Sequence, residues 1–328
     1  DRERLTLQTP QSFKERFNVE VRVRTEAVQI LPEAKMAVLK DLATGDIYNE
    51  SYDNLILSPG ARPVKPNIEG VEADGVFTLR NIPDTLKIKE FINQRKPRDG
   101  VIVGGGYIGL EMAENLKHAG MNVTVVELSE HLIPSFDYDM AAGIHRYIKA
   151  QGINLCLNNG LKAIKEGRVI LQNGELKADM VILSAGVRPD TQFLRGAVPL
   201  NERGGIITDS HMRTDIPNIY AVGDAAEIRN FVSGRPALIP LAGPANRQGR
   251  IAADNIAGIP SEYKGSQGSA VLKLFDMTAA ATGLNEREAA QSGLDYDKTY
   301  IYSAPHASYY PGGRNMSIKA LWDKKTYK

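Results

Sequence analysis

The chain has 328 residues, of which 42% are hydrophobic and 24% are charged, and its formal net charge at pH 7 is +1. This length can bury two or three cores, while the near-neutral charge gives no electrostatic reason to expect a nucleic acid or an anionic membrane as partner. No apolar run is long enough to span a bilayer, and no metal ion is expected. The single cysteine cannot form an internal disulfide, which suits a cytoplasmic protein.

The first fifty residues mix helical and strand patterns. Residues 12–17 predict a short helix, and the alternation of apolar and polar residues over Val19–Arg24 predicts a half-buried strand. Three further runs, two of them joined by the turn Thr44–Asp46, predict a small antiparallel sheet at residues 29–31, 35–42 and 47–49.

A buried strand then leads into the loop Ser58–Pro63, which has no bulky side chain and would let a ligand pass close to the backbone. Residues 85–93 predict a helix, and the polar stretch Lys96–Gly100 separates it from the next apolar run. We place a boundary between two domains at this polar stretch.

The most informative segment begins at Val101. A short apolar run leads into glycines at 104, 106 and 109, a helical pattern follows, and a second apolar run ends in an acid. This order predicts the strand, turn, helix and strand of a dinucleotide site. Gly104 permits the tight turn, Gly106 lets a pyrophosphate approach the backbone, and Gly109 lets the helix pack closely on the sheet. The phosphates would lie at the free N–H groups of the helix that starts near Tyr107.

The acid that ends this segment is Glu127. It lies about 20 residues past the glycines, where a carboxylate accepts a hydrogen bond from the ribose 2′-hydroxyl. Because a carboxylate would repel a 2′-phosphate, the sequence favours NADH over NADPH. A lone glycine triplet is a common accident, but the strand, helix, second strand and acid together make an accident a poor explanation.

Helix and strand patterns continue to alternate beyond Glu127, as in an α/β domain, with a helix at residues 139–150 and strands at 152–157, 168–171 and 179–184. The loop Ala185–Pro189 follows the last strand, at the edge where parallel sheets bind ligands, although a plain exit turn would have the same residues. Cys156 has no cationic neighbour in sequence, so a packing role is favoured over a redox role. Surface or capping roles are predicted for four histidines: His118, His131, His145 and His211.

A second signal is the segment Thr214–Glu227, in which a strand ends in Gly223 and Asp224. A carboxylate at the carboxyl edge of a sheet can accept hydrogen bonds from a polyol chain. Aspartate is also a frequent turn former and helix cap, so this residue is informative only in combination with the other motifs.

The last part of the chain predicts a further small sheet after the linker Gly265–Gly268. Its strands are expected at residues 271–275, 278–283, 299–303 and 317–322, and its helix at 285–292. A sheet left unfinished at Lys328 would expose an edge, which favours association.

Three motifs together resemble the FAD-dependent pyridine nucleotide-disulfide oxidoreductases: the glycine motif with Glu111, the loop Ala185–Pro189, and Tyr220–Ala225. Three more segments resemble the coenzyme A-disulfide reductase branch of that family, which includes NADH-dependent persulfide reductases: Ser58–Pro63, Pro240–Gly249 and His306–Gly312. The resemblance covers essentially the whole chain.

Two parts of the family pattern are missing from the sequence. The family begins with a glycine-rich strand and helix for the ADP half of FAD, followed by a redox cysteine, and the match of Thr9–Phe13 starts just downstream of that cysteine. The family also continues into a tyrosine-bearing tail that completes the partner subunit's site. We therefore expect a fragment, which by itself would neither hold FAD tightly nor reduce disulfides.

The resemblance implies an α/β fold with two Rossmann-like nucleotide-binding domains, the NAD domain being inserted into the FAD domain, and a partial α+β dimerisation domain. The expected FAD-binding domain comprises residues 1–95 and 215–263, the NAD(H)-binding domain 96–214, and the dimerisation domain 264–328. The full-length protein is expected to be a homodimer.

The resemblance also implies binding residues. Seven would form the NADH site, with Tyr107 covering the nicotinamide pocket: Gly104, Gly106, Tyr107, Ile108, Gly109, Glu127 and Gly186. Nine would bind FAD, with Glu111 near the flavin edge and Asp224 on the ribitol: Ser58, Pro59, Gly60, Glu111, Gly223, Asp224, Pro240, Leu241 and Ala242.

On the substrate side, the resemblance implies supporting roles for Asn246 and for Tyr310, Tyr309 and His306 of the neighbouring subunit. An aromatic corner packed at a subunit interface explains the two tyrosines equally well. The implied reaction passes hydride from NADH through FAD to a coenzyme A disulfide, persulfide or polysulfide by way of the upstream cysteine. NADH oxidases and peroxidases of the same family share nearly every motif, and a non-catalytic NAD-binding fragment is a third alternative.

Overall fold

The chain folds into two compact units, and its computed structural model describes residues 7–327. Residues 1–6 of the expected FAD domain and Lys328 of the expected dimerisation domain therefore lie outside the described residues. The first unit comprises the chain up to Arg62, Arg188–Arg229 and Pro236–Gly265. The second unit comprises Pro63–Val187, Asn230–Arg235 and the chain from Ser266 onward.

Within residues 7–327 the α-helices are α1 (Pro10–Phe17), α2 (Ile82–Arg95), α3 (Tyr107–His118), α4 (Tyr138–Ala150), α5 (Ala242–Ile256) and α6 (Glu286–Gln291). Helices α1, α2 and α6 each begin with a reciprocal capping box, set by Thr9, Asn81 and Asn285. Helices α3, α4 and α5 begin without a side-chain cap. None of these helices combines the length and the apolar character that crossing a membrane requires.

The strands are short and numerous. They are β1 (Thr25–Leu31), β2 (Met36–Asp41), β3 (Ile47–Ser51), β4 (Leu55–Leu57), β5 (Ala61–Pro63), β6 (Val76–Thr78), β7 (Asp99–Val103), β8 (Asn122–Val126), β9 (Ile153–Cys156), β10 (Leu161–Lys165), β11 (Arg168–Leu171), β12 (Glu175–Lys177), β13 (Met180–Leu183), β14 (Val187–Pro189), β15 (Ile206–Ile207), β16 (Ile219–Ala221), β17 (Ala226–Arg229), β18 (Pro236–Ala237), β19 (Ala270–Leu274), β20 (Met277–Ala281), β21 (Tyr296–Ser303) and β22 (Met316–Asp323). Two 3-10 turns occur at Gln192–Leu194 and Gly223–Ala225.

In the first unit, the predicted antiparallel sheet is confirmed as β1, β2 and β3 in that order. The strand predicted over Val19–Arg24 is wrong. This stretch pairs with no strand among the described residues, and Val19 and Val23 are exposed. An alternating sequence forms a strand only where a neighbouring strand and a core exist to bury one of its faces, which is not a local property.

The core of the first unit lies around two parallel strands. Strand β4 pairs in parallel with β16, so the residues that follow both strands lie at one edge. Leu194 and Ile206 are fully buried in the same core. Gln248 of α5 is also buried, and its side-chain oxygen accepts a hydrogen bond from the Gly223 N–H at 2.7 Å. This bond fastens α5 to the end of β16.

The second unit is built on a five-stranded parallel sheet in the order β6-β13-β7-β8-β9. Its strands are almost wholly apolar because both faces are covered. Ile102 faces a core shared with helices α2, α3 and α4. Val101 and Val103 face the opposite core, which is closed by the antiparallel strands β10, β11 and β12. This arrangement confirms the predicted α/β character of the segment around the glycines.

The last part of the chain forms two separate hairpins rather than the single sheet predicted for it. Strand β19 pairs with β20, and β21 pairs with β22, with no pairing between the hairpins in the described residues. The first hairpin buries Leu272 and Leu274 in the core beside helix α3. The Asp276 N–H at its turn donates to the Tyr147 hydroxyl at 3.0 Å. Side-chain packing on the parallel-sheet unit therefore replaces backbone pairing between the hairpins.

The chain passes between the units earlier than the domain boundaries expected at residues 95 and 214. The crossings follow Arg62 and Val187. Residues 63–95 join the second unit because β6 extends the parallel sheet and Ile88 of α2 is buried in its core. The nucleotide that each unit binds remains a prediction.

A buried lysine joins the second hairpin to helix α6 and to the start of helix α4 within the second unit. The Nζ of Lys319, whose side chain is 5% exposed, lies 2.8 Å from an oxygen of Asp137 and 2.8 Å from one of Asp139. It also contacts Glu286. Burial opposes the charge, but the hydrogen bonds to the three carboxylates raise the pKa of Lys319 above its ordinary value. Lys319, Asp137, Asp139 and Glu286 are called the Lys319 cluster below.

The charge on Glu286 predicts how stability depends on acid. Hydrogen bonds from Lys298 and Lys319 lower the pKa of Glu286 from 4.5 to about 2. A carboxylate with a lowered pKa stabilises the fold above its unfolded-state pKa, and the stabilisation is lost as the pH falls from 4.5 towards 2. We expect Glu286→Gln to lower the free energy of unfolding at neutral pH by about 1.5–3 kcal/mol, as for other hydrogen bonds to charged groups.

Urea unfolding at a series of pH values measures this effect. The Glu286→Gln variant should lose less stability than the wild type between pH 4.5 and 2. Glu72→Gln is the matched control, because Glu72 is an exposed acid of the same unit that pairs with Lys65 alone. Parallel profiles for wild type and Glu286→Gln would contradict the assignment.

Candidate functional site

The loop between β7 and α3 requires glycine at two positions. Gly104 has φ +111°, and a Cβ there would lie 2.3 Å from the Ser184 carbonyl oxygen. A Cβ on Gly109 would lie 2.0 Å from the Gly104 carbonyl oxygen. No side chain can be accommodated at such distances, so both glycines are needed for the turn itself and for the close approach of helix and strand.

Gly106 differs from these two because the space above it is open. It is the N-cap of α3 with φ −81°, and a Cβ built on it meets no atom within 4 Å. No side chain caps this helix, so the N–H groups of its first turn are available to a ligand. A free helix start beside a position without a Cβ fits the pyrophosphate of a dinucleotide. The structure thus brings Gly104, Gly106 and Gly109 together as the sequence predicts.

Glu127 braces this loop directly. One carboxylate oxygen accepts a hydrogen bond from the Gly105 N–H at 2.7 Å, and the other accepts from the Ser129 N–H at 2.8 Å. A Cβ on Gly105 would lie 2.3 Å from a methyl carbon of Leu132. Sequence reasoning missed both Gly105 and the bracing role of Glu127, although three consecutive glycines were a visible signal.

The segment after Glu127 supports the glycine loop through hydrogen bonds. The Ile133 N–H donates to the Gly105 carbonyl at 2.9 Å, and the Tyr107 hydroxyl lies 2.9 Å from the Ser135 hydroxyl. Ile133 has φ +55°, a conformation that a β-branched residue adopts only where its surroundings impose it. Leu132 and Ile133 are both fully buried. No sequence signal marked this support, because its contacts join residues about 30 positions apart.

His145 holds the same segment from helix α4. Its Nε2 accepts a hydrogen bond from the Leu132 N–H at 3.1 Å, so the neutral ring carries its proton on Nδ1. The surface or capping role predicted for this histidine is wrong, since it is 8% exposed. Burial, followed by the nearby His131 and Lys149, lowers the pKa of His145 below 6.5.

In the first unit, the ends of β4 and β16 bring Ser58 and Gly223 together. Gly223 has φ +83°, and a Cβ there would lie 3.3 Å from the Ser58 hydroxyl oxygen. Asp224 follows in a 3-10 turn and is half-buried. No group in the described part of the chain donates a hydrogen bond to its carboxylate. An acceptor of this kind at a strand edge fits the hydroxyls of a polyol such as the FAD ribitol.

The remaining predicted FAD residues lie after strand β4 and at the start of helix α5 in this unit, and on helix α3 in the second unit. Pro59 and Gly60 follow Ser58, and Gly60 has φ +69°. Three residues form the uncapped start of α5, with Asn246 exposed one turn further on: Pro240, Leu241 and Ala242. Glu111 is exposed on α3 of the second unit.

The other predicted residues of the second unit lie at the surface. Ile108 is 39% exposed on the first turn of α3, and Gly186 is exposed with φ +104°. Tyr309 and Tyr310 stack with ring centroids 4.9 Å apart, and His306 lies edge-on to Tyr310 at 5.9 Å. These three side chains are thus adjacent on the loop between β21 and β22. No group of three or more potential ligands in residues 7–327 is arranged to hold a metal ion.

Comparison with known families decides what these sites belong to. Residues 2–249 match the model of the pyridine nucleotide-disulphide oxidoreductases. The chain belongs to this family. Such an oxidoreductase uses FAD and NAD(P)H, which agrees with the two nucleotide-compatible edges described above. The predicted fold class, α/β with Rossmann-like parallel elements, is confirmed.

This chain is 34% identical over 332 residues to an NAD(P)H sulfur oxidoreductase (CoA-dependent) of Pyrococcus furiosus, covering 99% of this chain and 74% of the relative. It is 33% identical over 331 residues to a coenzyme A disulfide reductase of Staphylococcus epidermidis, covering 100% and 74%. The crystal structure of reduced Bacillus anthracis CoADR-RHD matches with TM-score 0.97 and 42% identity, covering 99% of this chain and 60% of that one. These relatives confirm the predicted branch, and the chain spans less than two thirds of the Bacillus protein.

The glycines predict two separable effects of adding one methyl group. Gly109→Ala should lower the free energy of unfolding by about 1–3 kcal/mol, as for other overpacked sites. Gly106→Ala should change stability by less than about 0.5 kcal/mol, because its Cβ meets no protein atom. It should nevertheless weaken NADH binding, because the methyl group would occupy the space of the pyrophosphate.

Urea unfolding and NADH titration of both variants measure these effects. Gly143→Ala, in the interior of helix α4 with open space around it, is the control. It should leave NADH binding unchanged and raise the free energy of unfolding by about 0.5–1 kcal/mol, because alanine is the better helix former. Tight NADH binding by Gly106→Ala would exclude this helix start as the dinucleotide site.

His145 predicts a separate pH dependence at mildly acidic pH. Because its pKa is lowered in the fold, it favours the folded state above pH 6.5, and that contribution is lost as the pH falls through the lowered pKa. The thermal midpoint of the wild type should therefore decrease when the pH is lowered below 6.5, and the midpoint of His145→Gln should depend less on pH. His118→Gln, on exposed helix α3 surface, is the control. A His145→Gln profile that matches the wild type would disprove the assignment.

Proposed function

We propose that the protein passes hydride from NADH, by way of FAD, to a coenzyme A disulfide, persulfide or polysulfide. The observation that carries the proposal is the open, uncapped helix start at Gly106, locked in place by Gly104 and Gly109. The Pyrococcus relative is a CoA-dependent sulfur oxidoreductase and the Staphylococcus relative a coenzyme A disulfide reductase, which supports the choice of a sulfur substrate. The proposal concerns the whole protein, because this chain spans 74% of the length of each of these relatives.

The dinucleotide site is assigned to the second unit. Gly106 would lie under the pyrophosphate, with Ile108 and Gly186 beside the nucleotide and Tyr107 over the nicotinamide. Glu127 would accept from a ribose hydroxyl, and its carboxylate favours NADH because it would repel the 2′-phosphate of NADPH. The two backbone hydrogen bonds that Glu127 accepts hold its carboxylate in a fixed position.

The FAD site is assigned to the strand edge of the first unit. Asp224 would accept from the ribitol hydroxyls, and the Gly223 and Gly60 backbones would lie close to the cofactor. Pro240, Leu241 and Ala242 are also proposed to contact it. When bound, FAD would accept hydride from the nicotinamide and deliver two electrons to a sulfur–sulfur bond. The chain's own residues would bind the two cofactors and hold them in a fixed orientation. A transfer that depends on alignment is accelerated in this way.

The thiol that attacks the substrate is proposed to lie upstream of this sequence. Cys156 is not a candidate, because it is half-buried at the end of β9 and its sulfur accepts a hydrogen bond from the Asn159 amide at 3.3 Å. Tyr310, with Tyr309 and His306, would help to position the substrate sulfur, and Asn246 would face the same side. We further propose that the protein is a cytoplasmic homodimer in which the hairpin loop serves the partner's site.

Turnover measurements on the full-length protein test the proposal. NADH consumption should be fast with coenzyme A disulfide or a persulfide and slow with oxygen or hydrogen peroxide, and the purified protein should show flavin absorbance. NADH consumption with oxygen or peroxide alone would favour an NADH oxidase or peroxidase. NADH binding without any flavin absorbance would favour a non-catalytic fragment.

Two tyrosine variants extend the same test. Tyr310→Phe should lower turnover of the disulfide by about 100-fold, as expected when a reacting group is displaced by about 1 Å. Tyr302→Phe is the matched control, because Tyr302 is also an exposed tyrosine and lies on strand β21 of the same hairpin. Equal turnover in the two variants would remove Tyr310 from the site.

A further inference from the structure

One segment joins the glycine loop to the second C-terminal hairpin. It comprises Leu132–Asp139 and is called the connector here. On its glycine-loop side, the Ile133 N–H donates to Gly105 at 2.9 Å, and the Ser135 hydroxyl lies 2.9 Å from that of Tyr107. These are the loop and the side chain that a dinucleotide would touch.

On its other side, the connector is held by the last part of the chain. The Pro134 carbonyl accepts from the Asn285 amide at 2.9 Å, and the Asp137 carboxylate accepts from the Glu286 N–H at 3.0 Å. These contacts dock the start of α6 on the connector. The hairpin adds the Tyr300 hydroxyl, which donates to Asp139 at 2.6 Å.

Lys319 is the central charge of these contacts. Its buried ammonium group faces Asp137 and Asp139 of the connector and Glu286 of α6 at once. Without it, three carboxylates would lie close together with no buried cation between them, and their repulsion would push the connector away. Of the three carboxylates, the Lys298 ammonium group contacts Glu286 but neither Asp137 nor Asp139 in the described structure, so it cannot replace Lys319.

The connector also has a conformation that it would lose on release. Ile133 has φ +55°, a conformation that is unfavourable for a β-branched residue and persists only while its neighbours hold it. His145 and the Gly105 carbonyl hold it on one side, and the Lys319 cluster holds the segment that follows. Weakening the cluster would therefore favour relaxation of Ile133 away from Gly105.

We propose that Lys319 is a positioning residue for the dinucleotide site. Through Asp137 and Asp139 it keeps the connector in the conformation in which Ile133 supports the glycine loop and Ser135 holds Tyr107. This inference rests on the proposed function, in which that loop and Tyr107 contact NADH. By thermodynamic reciprocity, bound NADH would in turn steady the hairpin whose loop carries Tyr309 and Tyr310.

Amide hydrogen exchange of the full chain without nucleotide tests the structural linkage. Lys319→Met should accelerate exchange of the Ile133 N–H by at least about tenfold, as expected for a local opening, and leave that of Ile182 in the central sheet unchanged. Lys324→Met is the matched control, because it removes a lysine just beyond β22 that pairs only with Asp295. Equal acceleration at Ile133 and Ile182 would indicate general destabilisation and overturn the proposal.

NADH titration tests the consequence for binding. Lys319→Met should raise the dissociation constant about fivefold or more, a typical coupling between linked sites, whereas Lys324→Met should not. Combined with Ser135→Ala, its effect should be less than additive, because both changes act through the connector. An unchanged dissociation constant or strict additivity would overturn the proposal.

The two experiments separate this inference from the proposed function. Faster exchange at Ile133 with no NADH binding by the wild type would refute the dinucleotide site and leave the linkage through Lys319 standing. Normal NADH binding with unchanged exchange would refute the linkage alone. If Lys319→Met does not fold, Tyr300→Phe serves instead, since it removes one hydrogen bond to Asp139 and should change both quantities in the same direction.

Discussion

The contact between two glycines fixes how closely helix α3 packs on strand β7 in the second unit. The Gly104 carbonyl oxygen occupies the space that a Cβ at position 109 would need. Helix α3 is therefore packed closely against the end of β7, and no side chain of the described residues caps its first turn. The glycine contact thus sets the position of the helix start that is proposed to bind the pyrophosphate.

In both units, one side chain accepts a hydrogen bond from the loop that follows a parallel strand. At the end of a parallel strand, a loop must leave its N–H groups either to a ligand or to an internal acceptor. In the second unit Glu127 takes the N–H of Gly105 and leaves that of the helix start free, and in the first unit buried Gln248 takes the N–H of Gly223. Each brace satisfies one donor while leaving the neighbouring backbone accessible, which is what close approach of a cofactor requires.

Features with a local physical cause were predictable from the sequence, and those that depend on distant partners were not. At Gly104 and Gly109 a Cβ would clash with nearby backbone, so the tight turn between strand and helix was predictable from these glycines. The strand expected at Val19–Arg24 failed because alternation carries no information about a neighbouring strand. The burial of His145 against Leu132 and the docking of Lys319 on Asp137 depend on residues far away in sequence, which single-sequence patterns do not encode.

Cys156 is not proposed as a catalytic group, so its thiol can serve as a labelling position. It is the one thiol in the 328 residues, and its own carbonyl accepts the hydrogen bond from the Glu127 N–H at 2.9 Å. Once the proposed redox thiol is replaced or blocked, a thiol-reactive spectroscopic label would therefore attach at a single position, one backbone hydrogen bond from the acid assigned to the ribose. Arrival of a nucleotide at this sheet edge could be followed by such a reporter without introducing a cysteine into this part of the protein.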